Sequence, residues 1–393
     1  MNGNILLAEV QTFIRQHADM DASRIALKKS PFEGVSSSEL AQQITGWQKV
    51  SSKMPEWLKQ DKALYFPEKL NLEQCSSAKT GKFKVSLLSP DCTVLDLTGG
   101  FGVDSYFFAR CAKKVIHCEI NPQLSQIVAH NFLELAIDNV QFHTGDGITF
   151  LASSRKRYDY IYTDPSRRVK NQKVFRLEDC EPNILAYQSL FFEHSDTLLT
   201  KSAPLLDISG ALNVLPHVRE VYVISIENDC KELLFVQEKS FQGIPTIHAV
   251  RLSADKSQTF SFNYIQEKET VPTLGKPTNF LYDPDVAITK AGAFKSVATA
   301  FHLQKLHQHS HLYSHDDVIG DFPGRVFRIQ QVVPFSIFKK SVGVAKANIV
   351  TKNFPLKVEQ IRKKFKIKEG GEDYLYFTTL YDDRLVVVYA KRI

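Results

Sequence analysis

The feature that most constrains this chain is a glycine-rich turn between an apolar run and a helical segment. Thr93–Leu97 has the length and composition of a buried strand, and Thr98-Gly99-Gly100-Phe101-Gly102 follows it directly. Val103–Arg110 then has the apolar spacing of a helix. Glycine lets a backbone approach a ligand closely, and the first turn of a helix has unpaired N–H groups. This order of elements predicts a nucleotide-binding turn.

The segments after this turn alternate between strands and helices. This alternation predicts a parallel sheet covered by helices on both faces. The β-type runs Val221–Ile226 and Lys231–Val236 are joined by only four residues, too few for a parallel crossover, so they must be antiparallel. The other expected elements are strands at Lys114–Glu119, Val140–His143, Tyr158–Thr163 and Thr197–Lys201, and helices at Asn121–Leu135 and Leu212–Val218.

Acidic residues follow four successive predicted strands, at Asp96, Glu119, Asp146 and Asp164. The carboxyl ends of parallel strands meet at one edge of a sheet, where such sheets bind ligands. Glu119 is placed to accept hydrogen bonds from ribose hydroxyls, and Asp146 to meet an adenine amino group. Each acid alone is more often a helix or turn cap, but their order favours a shared site. Ser105 replaces the third glycine of the dinucleotide motif, which argues against a nicotinamide cofactor.

The segment Val94–Arg168 resembles the core of class I S-adenosylmethionine-dependent methyltransferases. Val94–Phe101 is similar to their first motif, Glu119 to their acidic second motif and Asp164-Pro165 to their fourth. The resemblance implies an α/β fold with a Rossmann-like sheet of seven strands, mostly parallel with an antiparallel final hairpin. It implies S-adenosyl-L-methionine as the cofactor, bound by Asp96, Thr98, Gly99, Gly100, Phe101, Gly102, Glu119, Ile120, Asp146, Gly147 and Asp164.

Thr98 departs from this family's pattern, which usually has glycine at that position. A threonine would narrow the loop, while its hydroxyl could still contact the cofactor. The departure keeps open the alternative of an RNA-binding protein that retains the fold but is catalytically weak.

The run Asp164-Pro165-Ser166-Arg167-Arg168 is similar to the Asp-Pro motif of enzymes that methylate nitrogens of nucleobases. The resemblance implies a catalytic group of Asp164, Pro165, Arg167 and Arg168. Asp164 could accept the N–H of the acceptor nitrogen, and the arginines could hold a phosphate. Alternatively, the arginines pair with the nearby acids Glu178, Asp179 and Glu181. No cysteine is near this run in the sequence, so covalent attack on a pyrimidine ring is not supported.

Positive charge concentrates near the C-terminus, where Lys339–Lys368 is rich in lysine and contains Glu359 as its one acidic residue. Phe338, Phe354 and Phe365 are interleaved with these lysines. Such a patch can neutralise phosphates, although a solvated basic helix face is the common alternative. The runs Phe322–Phe327, Thr351–Leu356 and Gly370–Leu375 resemble the THUMP-like domain that follows a methyltransferase core in a bacterial family. THUMP domains accompany tRNA-modifying enzymes, so the resemblance implies RNA, either tRNA or rRNA, as a partner.

Four regions are expected along the chain. Residues 1–74 have helical spacing, with a helix start at Ser36-Ser37-Ser38-Glu39, and residues 75–270 form the methyltransferase domain. Residues 271–320 are expected to be a ferredoxin-like segment with a helix at Ala291–Gln308, and residues 321–393 a THUMP-like domain. The segment Ser76–Phe83 either closes over the methionine end of the cofactor or is an interdomain loop.

Composition excludes other classes of protein. The sequence has no Cys-x-x-Cys pair, and the histidines between His302 and His315 have no familiar zinc spacing, so no metal site is expected. No signal peptide and no stretch long enough to span a membrane is recognised, which favours a cytoplasmic protein without membrane contact. The net charge of +6 permits a polyanionic partner without requiring one, and no obligate protein partner is implied.

The sequence therefore predicts a methyltransferase that uses S-adenosyl-L-methionine and methylates a base nitrogen in RNA. The alternatives are a small-molecule methyltransferase of the same fold, the catalytically weak RNA-binding protein, and, least favoured, a nicotinamide oxidoreductase.

Overall fold

The chain forms two compact units. The computed structural model describes residues 1–59, 61–166, 177–253, 257–339 and 343–393, and the backbone alone at 168–169 and 172–173. Unit 1 comprises Met1–Arg219 and Leu234–Gln242, and unit 2 comprises Glu220–Leu233 and Gly243–Ile393. Among the described residues, no helix combines the length and apolar character needed to cross a membrane.

Unit 1 begins with helices that share one hydrophobic core with the sheet-covering helices further along the chain. Trp57 is buried, and its ring lies 5.3 Å from the rings of Phe101 and Tyr106. The predicted helix start is confirmed, because Ser36 and Glu39 form a capping box. The N-terminal helices are α1 (Ala8–Gln16), α2 (Ala22–Ala26), α3 (Ser37–Lys53), α4 (Lys69–Gln74) and α5 (Ala78–Val85), with 3₁₀ turns at Gly3–Leu6 and Pro55–Leu58.

The predicted alternation of strands and helices is present in the rest of unit 1. Asp96 is in parallel register with His117 on one side and Tyr162 on the other. Its strands are β1 (Thr93–Asp96), β2 (Lys114–Glu119), β3 (Val140–Thr144), β4 (Tyr160–Thr163), β5 (Arg168–Val169), β6 (Gln172–Lys173) and β7 (Thr197–Ser202). The next two strands, β8 (Val218–Ile226) and β9 (Asp229–Glu238), have residues in both units. The helices are α6 (Val103–Ala109), α7 (Pro122–Glu134), α8 (Gly147–Ser153), α9 (Gln188–His194) and α10 (Ile208–Val214), with a 3₁₀ turn at Leu177–Asp179.

The α/β class is confirmed, but the prediction of seven strands is wrong. The main sheet has nine strands in the order β11-β10-β8-β9-β7-β4-β1-β2-β3, where β10 is Thr246–Leu252 and β11 is Ser257–Phe262. β10 pairs with β8 in parallel and with β11 antiparallel. The turn between β8 and β9 has Glu227 and Asn228 at φ 54° and 60°, the geometry of a two-residue hairpin turn.

Unit 2 contains a second sheet, in the order β13-β14-β12-β15-β18-β17-β16. Its two apolar clusters are centred on buried side chains such as Phe327 and Tyr376 in one and Phe338 and Phe377 in the other. The elements are α11 (Tyr264–Glu269), β12 (Phe280–Pro284), α12 (Val286–Ala291), α13 (Ser296–Ala300), β13 (Gln304–Lys305), β14 (Tyr313–His315), β15 (Gly324–Pro334), α14 (Phe335–Phe338), β16 (Asn348–Lys352), α15 (Val358–Phe365), β17 (Asp373–Thr379) and β18 (Leu385–Arg392).

The expected helix at Ala291–Gln308 is wrong. α12 ends at Ala291 because Gly292 adopts φ 84°, a left-handed conformation that closes a helix. A second short helix, α13, follows, and Gln304–Lys305 then joins the sheet as β13. The apolar positions of the segment are therefore divided among the end of α12, α13 and β13.

Candidate active site

Five neighbouring strands of unit 1 have polar side chains at or just beyond their carboxyl ends. The four acids predicted from the sequence follow four of these strands, and a lysine on the fifth was not predicted. In the sheet order β7-β4-β1-β2-β3 these residues are Lys201, Asp164, Asp96, Glu119 and Asp146. The topology thus brings the predicted acids to one edge of the sheet, where ligands bind in folds of this type.

Asp96 is buried at the end of β1 and belongs to a hydrogen-bonded chain. Its Oδ2 accepts the Ser105 hydroxyl at 2.6 Å, and its Oδ1 accepts the Thr98 N–H at 3.1 Å. The Ser105 oxygen also lies 3.0 Å from Nδ1 of His117, which extends the chain to β2. Burial lowers the pKa of His117 to about 3, so its ring is neutral. Burial raises the pKa of Asp96 to about 7, against the opposing effect of its two hydrogen bonds.

The glycines of the turn allow contacts that no side chain would permit. A Cβ on Gly99 would lie 2.1 Å from the His117 ring, so the loop rests directly on β2. Gly102 adopts φ 78°, and its Cβ would lie 2.6 Å from Val128 on α7. Gly100 adopts φ 56°, and its Cβ would meet nothing nearer than 3.8 Å. The backbone at Gly100 is therefore open in the direction that a side chain would take.

Glu119 ends β2 and holds the loop in place. Its Oε2 accepts the Gly100 N–H at 2.9 Å, and its Oε1 accepts the Asn121 N–H at 2.7 Å. Burial raises the pKa of Glu119, and these two backbone hydrogen bonds oppose the rise. Each carboxylate oxygen retains a lone pair for a further donor. Ile120, the next residue, is 71% exposed despite its apolar side chain.

Asp146 is the N-cap of α8. Its carboxylate accepts the N–H groups of Ile148 and Thr149 at 3.1 and 3.3 Å, and the Thr149 hydroxyl at 2.7 Å. This is the capping role that a lone acid after a strand most often has. Gly147 follows, and a Cβ there would lie 2.4 Å from the Leu97 carbonyl oxygen. The first turn of α8 therefore lies directly against the end of β1.

Asp164 is held at both its main chain and its side chain. Its N–H donates to Oγ1 of Thr98 at 2.6 Å. Its Oδ2 accepts Nζ of Lys201 at 2.5 Å, and the Lys201 side chain is only 10% exposed. Lys201 was not among the predicted site residues, because a lysine in an apolar strand usually indicates a position at the edge of a sheet. Thr98, a predicted cofactor residue, is therefore bonded through its hydroxyl to the loop after β4.

The motif beyond Asp164 is described only in part. Pro165 is buried, and Ser166 forms an antiparallel bridge with Glu181. The catalytic candidates Arg167 and Arg168 lie outside the residues whose side chains the structure describes. Because Glu181 pairs with Ser166, the neighbouring residue Cys180 is brought close to the motif. Cys180 is 8% exposed.

The segment before the first motif is helical and ion-paired. Lys84 on α5 has no exposed surface, and its Nζ lies 3.0 Å from Oδ1 of Asp104 on α6. Oδ2 of Asp104 accepts the hydroxyls of Ser76 at 2.8 Å and Tyr162 at 2.7 Å. The pKa of Asp104 is lowered: burial opposes this, but the ammonium groups of Lys84 and Lys201 outweigh burial. Ser76–Phe83 is therefore a capped helix start and not a loop.

These residues fit an adenosine-type cofactor at several points. Glu119 has lone pairs left over, and its carboxylate is hydrogen-bonded to the open backbone at Gly100. Ile120, the next residue in the chain, adds an exposed apolar side chain. The side chain of Phe101, another predicted cofactor residue, is 3% exposed and packs against Trp57. Any contribution of Phe101 to a ligand would come from its backbone.

Unit 2 holds the basic segment and the histidines. Phe354 and Phe365 are half-buried and pack with Phe335 and Phe377 in an aromatic cluster. The ring of His311 stacks on Phe294 at 3.6 Å. Among the described residues, no three histidine, cysteine or acidic side chains are placed to share a metal ion. The exposed basic side chains of the described segment are Lys339, Lys346, Lys357, Lys363, Lys364, Lys366 and Lys368.

Comparison with known proteins identifies the family. Residues 280–323 match a family described as a ferredoxin-like domain, and residues 324–392 match one described as THUMP domain-like. A crystal structure of a candidate methyltransferase from Porphyromonas gingivalis W83 is 30% identical, with a TM-score of 0.89, over 100% of this chain and 99% of that one. The chain belongs to this methyltransferase family. This chain combines a class I methyltransferase fold with a THUMP-like domain at residues 324–392.

A second relative of this methyltransferase carries an RNA-modifying name. The 23S rRNA (uracil(1939)-C(5))-methyltransferase RlmD of Alcanivorax borkumensis is 26% identical over 154 residues. The match covers 37% of this chain and 34% of the relative, so the chain spans about a third of that protein's length.

Proposed function

We propose that this methyltransferase uses S-adenosyl-L-methionine to methylate a base nitrogen in RNA. The observation that carries the proposal is the single sheet edge on which Asp96, Glu119 and Asp146 stand beside Asp164. The first three acids and the open glycine loop would bind the cofactor, and Asp164 would bind the group that accepts the methyl.

The cofactor is assigned to the loop between β1 and α6. Glu119 would accept the ribose hydroxyls with the lone pairs that its two backbone hydrogen bonds leave over. Ile120 would cover one face of the adenine, and Asp146 would accept its amino group from the rim, since its carboxylate is exposed while it caps α8. The bound cofactor would supply a methyl group activated on a sulfonium sulfur.

Methyl transfer to nitrogen depends mainly on the position of the acceptor. Oδ2 of Asp164 is paired with Lys201, and Oδ1 has no hydrogen-bond partner among the described residues. Oδ1 would accept the N–H of the acceptor and so aim the nitrogen lone pair at the methyl carbon. Pro165 keeps the main chain after Asp164 in a fixed conformation. We assign Arg167 and Arg168 to a phosphate of the substrate, by sequence alone.

Nitrogen is favoured over carbon as the acceptor. The named activity of the Alcanivorax relative is at carbon 5 of uracil. Attack at a pyrimidine carbon calls for an activated, accessible thiolate. Cys180 is near the motif, but it is 8% exposed, as inert structural cysteines are. The carboxylate of Asp164, paired with Lys201, is better suited to a methyl-accepting nitrogen that carries a hydrogen.

RNA is favoured as the substrate by the second unit. The THUMP-like residues 324–392 contain the exposed lysines of α15 and its flanks. Ammonium groups clustered in this way neutralise successive phosphates. The RlmD relative is named for action on ribosomal RNA, which supports the same class of substrate.

Two measurements test the proposal. Calorimetry should detect binding of adenosylmethionine and adenosylhomocysteine but not of NAD, and failure of both sulfur compounds to bind would remove the cofactor assignment. Purified protein should transfer labelled methyl to RNA from a deletion strain and not to wild-type RNA. Equal labelling of both RNAs, or of neither, would contradict an RNA substrate. Asp164→Ala should abolish transfer while adenosylhomocysteine still binds.

A further inference from the structure

The main chain of Asp164 depends on the side chain of Thr98. β1 and β4 are parallel, with Asp96 in register with Tyr162, and the Leu97 N–H donates to the Tyr162 carbonyl at 3.0 Å. Thr98 follows Leu97, two residues beyond the end of β1, and Asp164 is two residues beyond Tyr162. Here the Thr98 hydroxyl oxygen, and not a backbone carbonyl, accepts the Asp164 N–H at 2.6 Å.

This hydrogen bond extends the ladder between the strands by one rung. Both chains leave the sheet at this point, Thr98 into the glycine turn and Asp164 into the motif. The Asp164 N–H therefore depends on a side-chain acceptor at the very place where the paired strands separate. A glycine at position 98 would supply no such acceptor, and the N–H would have to bond to water or stay unpaired.

The side chain of Asp164 is fixed independently. Lys201 on β7 binds Oδ2, and Thr98, just beyond β1, accepts the main-chain N–H, so Asp164 is held from both sides of β4. Two contacts from opposite neighbours define both the position of its Cα and the direction of its carboxylate. Oδ1 is thereby left in one orientation.

We infer that Thr98 is a positioning residue for the transfer step and not a weakened cofactor contact. The Thr98 hydroxyl sets the main chain of Asp164, so that Oδ1 meets the acceptor N–H in the geometry of transfer. The inference rests on the proposed function for the role of Asp164. The hydrogen bond itself can be tested without that function.

Thr98→Val keeps the shape of the side chain and removes the acceptor, while Thr98→Ser keeps the acceptor. The valine variant should lose at least roughly tenfold in kcat, with the KM for the cofactor within roughly threefold of wild type. The serine variant should restore most of kcat. Thr163→Val is the matched control, because the buried Thr163 hydroxyl has no hydrogen-bond partner among the described residues. It should leave kcat and KM unchanged.

Amide hydrogen exchange of Asp164, read by mass spectrometry with fragmentation, separates this inference from the proposed function. Exchange at Asp164 should be at least roughly tenfold faster in Thr98→Val than in wild type and Thr98→Ser. Unchanged exchange, or a kcat equal to wild type in Thr98→Val, would overturn the inference and leave the function intact. A wild-type protein without methyl transfer would overturn the function, and the exchange rates would still decide whether Thr98 holds Asp164.

Discussion

At the scale of single residues, the buried charge of Asp96 makes stability depend on pH. Its side chain is 1% exposed, and burial raises its pKa from 3.8 to about 7. A carboxyl whose pKa is higher in the folded state binds its proton more tightly there. Its contribution to stability is therefore complete below pH 3.8 and is lost progressively as the pH rises to about 7.

Asp96→Asn removes this titration while keeping the shape of the side chain. The unfolding free energy of wild type minus that of Asp96→Asn should fall as pH rises from 4 to 8, by an amount on the order of 4 kcal/mol at most. Urea unfolding of both proteins without cofactor, at several pH values, measures this difference. Parallel pH profiles for the two proteins would show that folding does not raise the pKa of Asp96.

Lys201 is the residue of the site that orients the carboxylate of Asp164. Lys201→Met should lower kcat at least roughly tenfold while changing the affinity for adenosylhomocysteine little, because Asp164 loses the partner that orients it. The matched control is Arg157→Met, which breaks the exposed ion pair with Asp196 at 2.6 Å. Exposed pairs contribute less than about 1 kcal/mol, so this variant should retain full activity. Equal activity of the two variants would exclude Lys201 from the site.

Sequence and structure agree on the acids for a physical reason. Asp96, Glu119 and Asp164 each follow a short apolar strand, and parallel topology alone brings such positions to one edge. Lys201 could not be found in this way, because its partner is 37 positions away and the pairing depends on which strands are neighbours. The Thr98 hydrogen bond depends on register, which a single sequence does not encode in that detail.

At the scale of elements, α8 is fixed to β1 by a glycine contact. A Cβ at Gly147 would lie 2.4 Å from the Leu97 carbonyl oxygen and 3.0 Å from its Cα, and backbone cannot yield as a flexible side chain can. Gly147→Ala should therefore lower the unfolding free energy by roughly 1–3 kcal/mol. Gly3→Ala is the control within unit 1, since nothing lies within 4 Å of its Cβ position. Thermal unfolding of both variants measures the effect, and equal melting temperatures would contradict the close approach.

The contact between α5 and α6 depends on a fully buried ion pair. Lys84→Met would leave Asp104 charged, buried and without its ammonium partner, which should cost roughly 3–5 kcal/mol. Lys84→Met combined with Asp104→Leu should recover much of that loss, because no unpaired charge then remains. Denaturant unfolding of the wild type, the single variant and the double variant measures this. A double variant less stable than the single one would show that Ser76 and Tyr162 need the carboxylate more than Lys84 does.

The sequence was misleading in the segment 291–308, where short elements follow one another. The apolar positions in 291–308 have helical spacing, yet Gly292 ends one helix and Lys305 belongs to a strand. Lys305 is buried, and its Nζ donates to the carbonyls of His307 and Gln308 at 2.8 and 2.7 Å. A lysine whose donors are satisfied locally can be buried in a sheet, which periodicity does not reveal.

At the scale of the whole molecule, the net charge of +6 is less informative than where the exposed lysines lie. Lys363 and Lys364 on α15, and Lys366 just after it, are exposed and close in sequence. Lys363 and Lys364 have no ion-pair partner within 4.0 Å among the described residues. If these three ammonium groups contact phosphates, each contributes to the release of counterions on RNA binding.

Replacing Lys363, Lys364 and Lys366 by glutamine in the full chain should weaken RNA binding, and most at low salt. For single-stranded RNA, the slope of log K against log salt should become shallower by about 2, from three lost contacts at roughly 0.7 each. The matched control replaces the exposed Lys28, Lys29 and Lys59 of unit 1, which changes the net charge equally. A long-range effect of net charge would change both slopes alike. A direct interface on α15 changes the first slope and leaves the second near wild type, and filter binding across a salt series distinguishes the two outcomes.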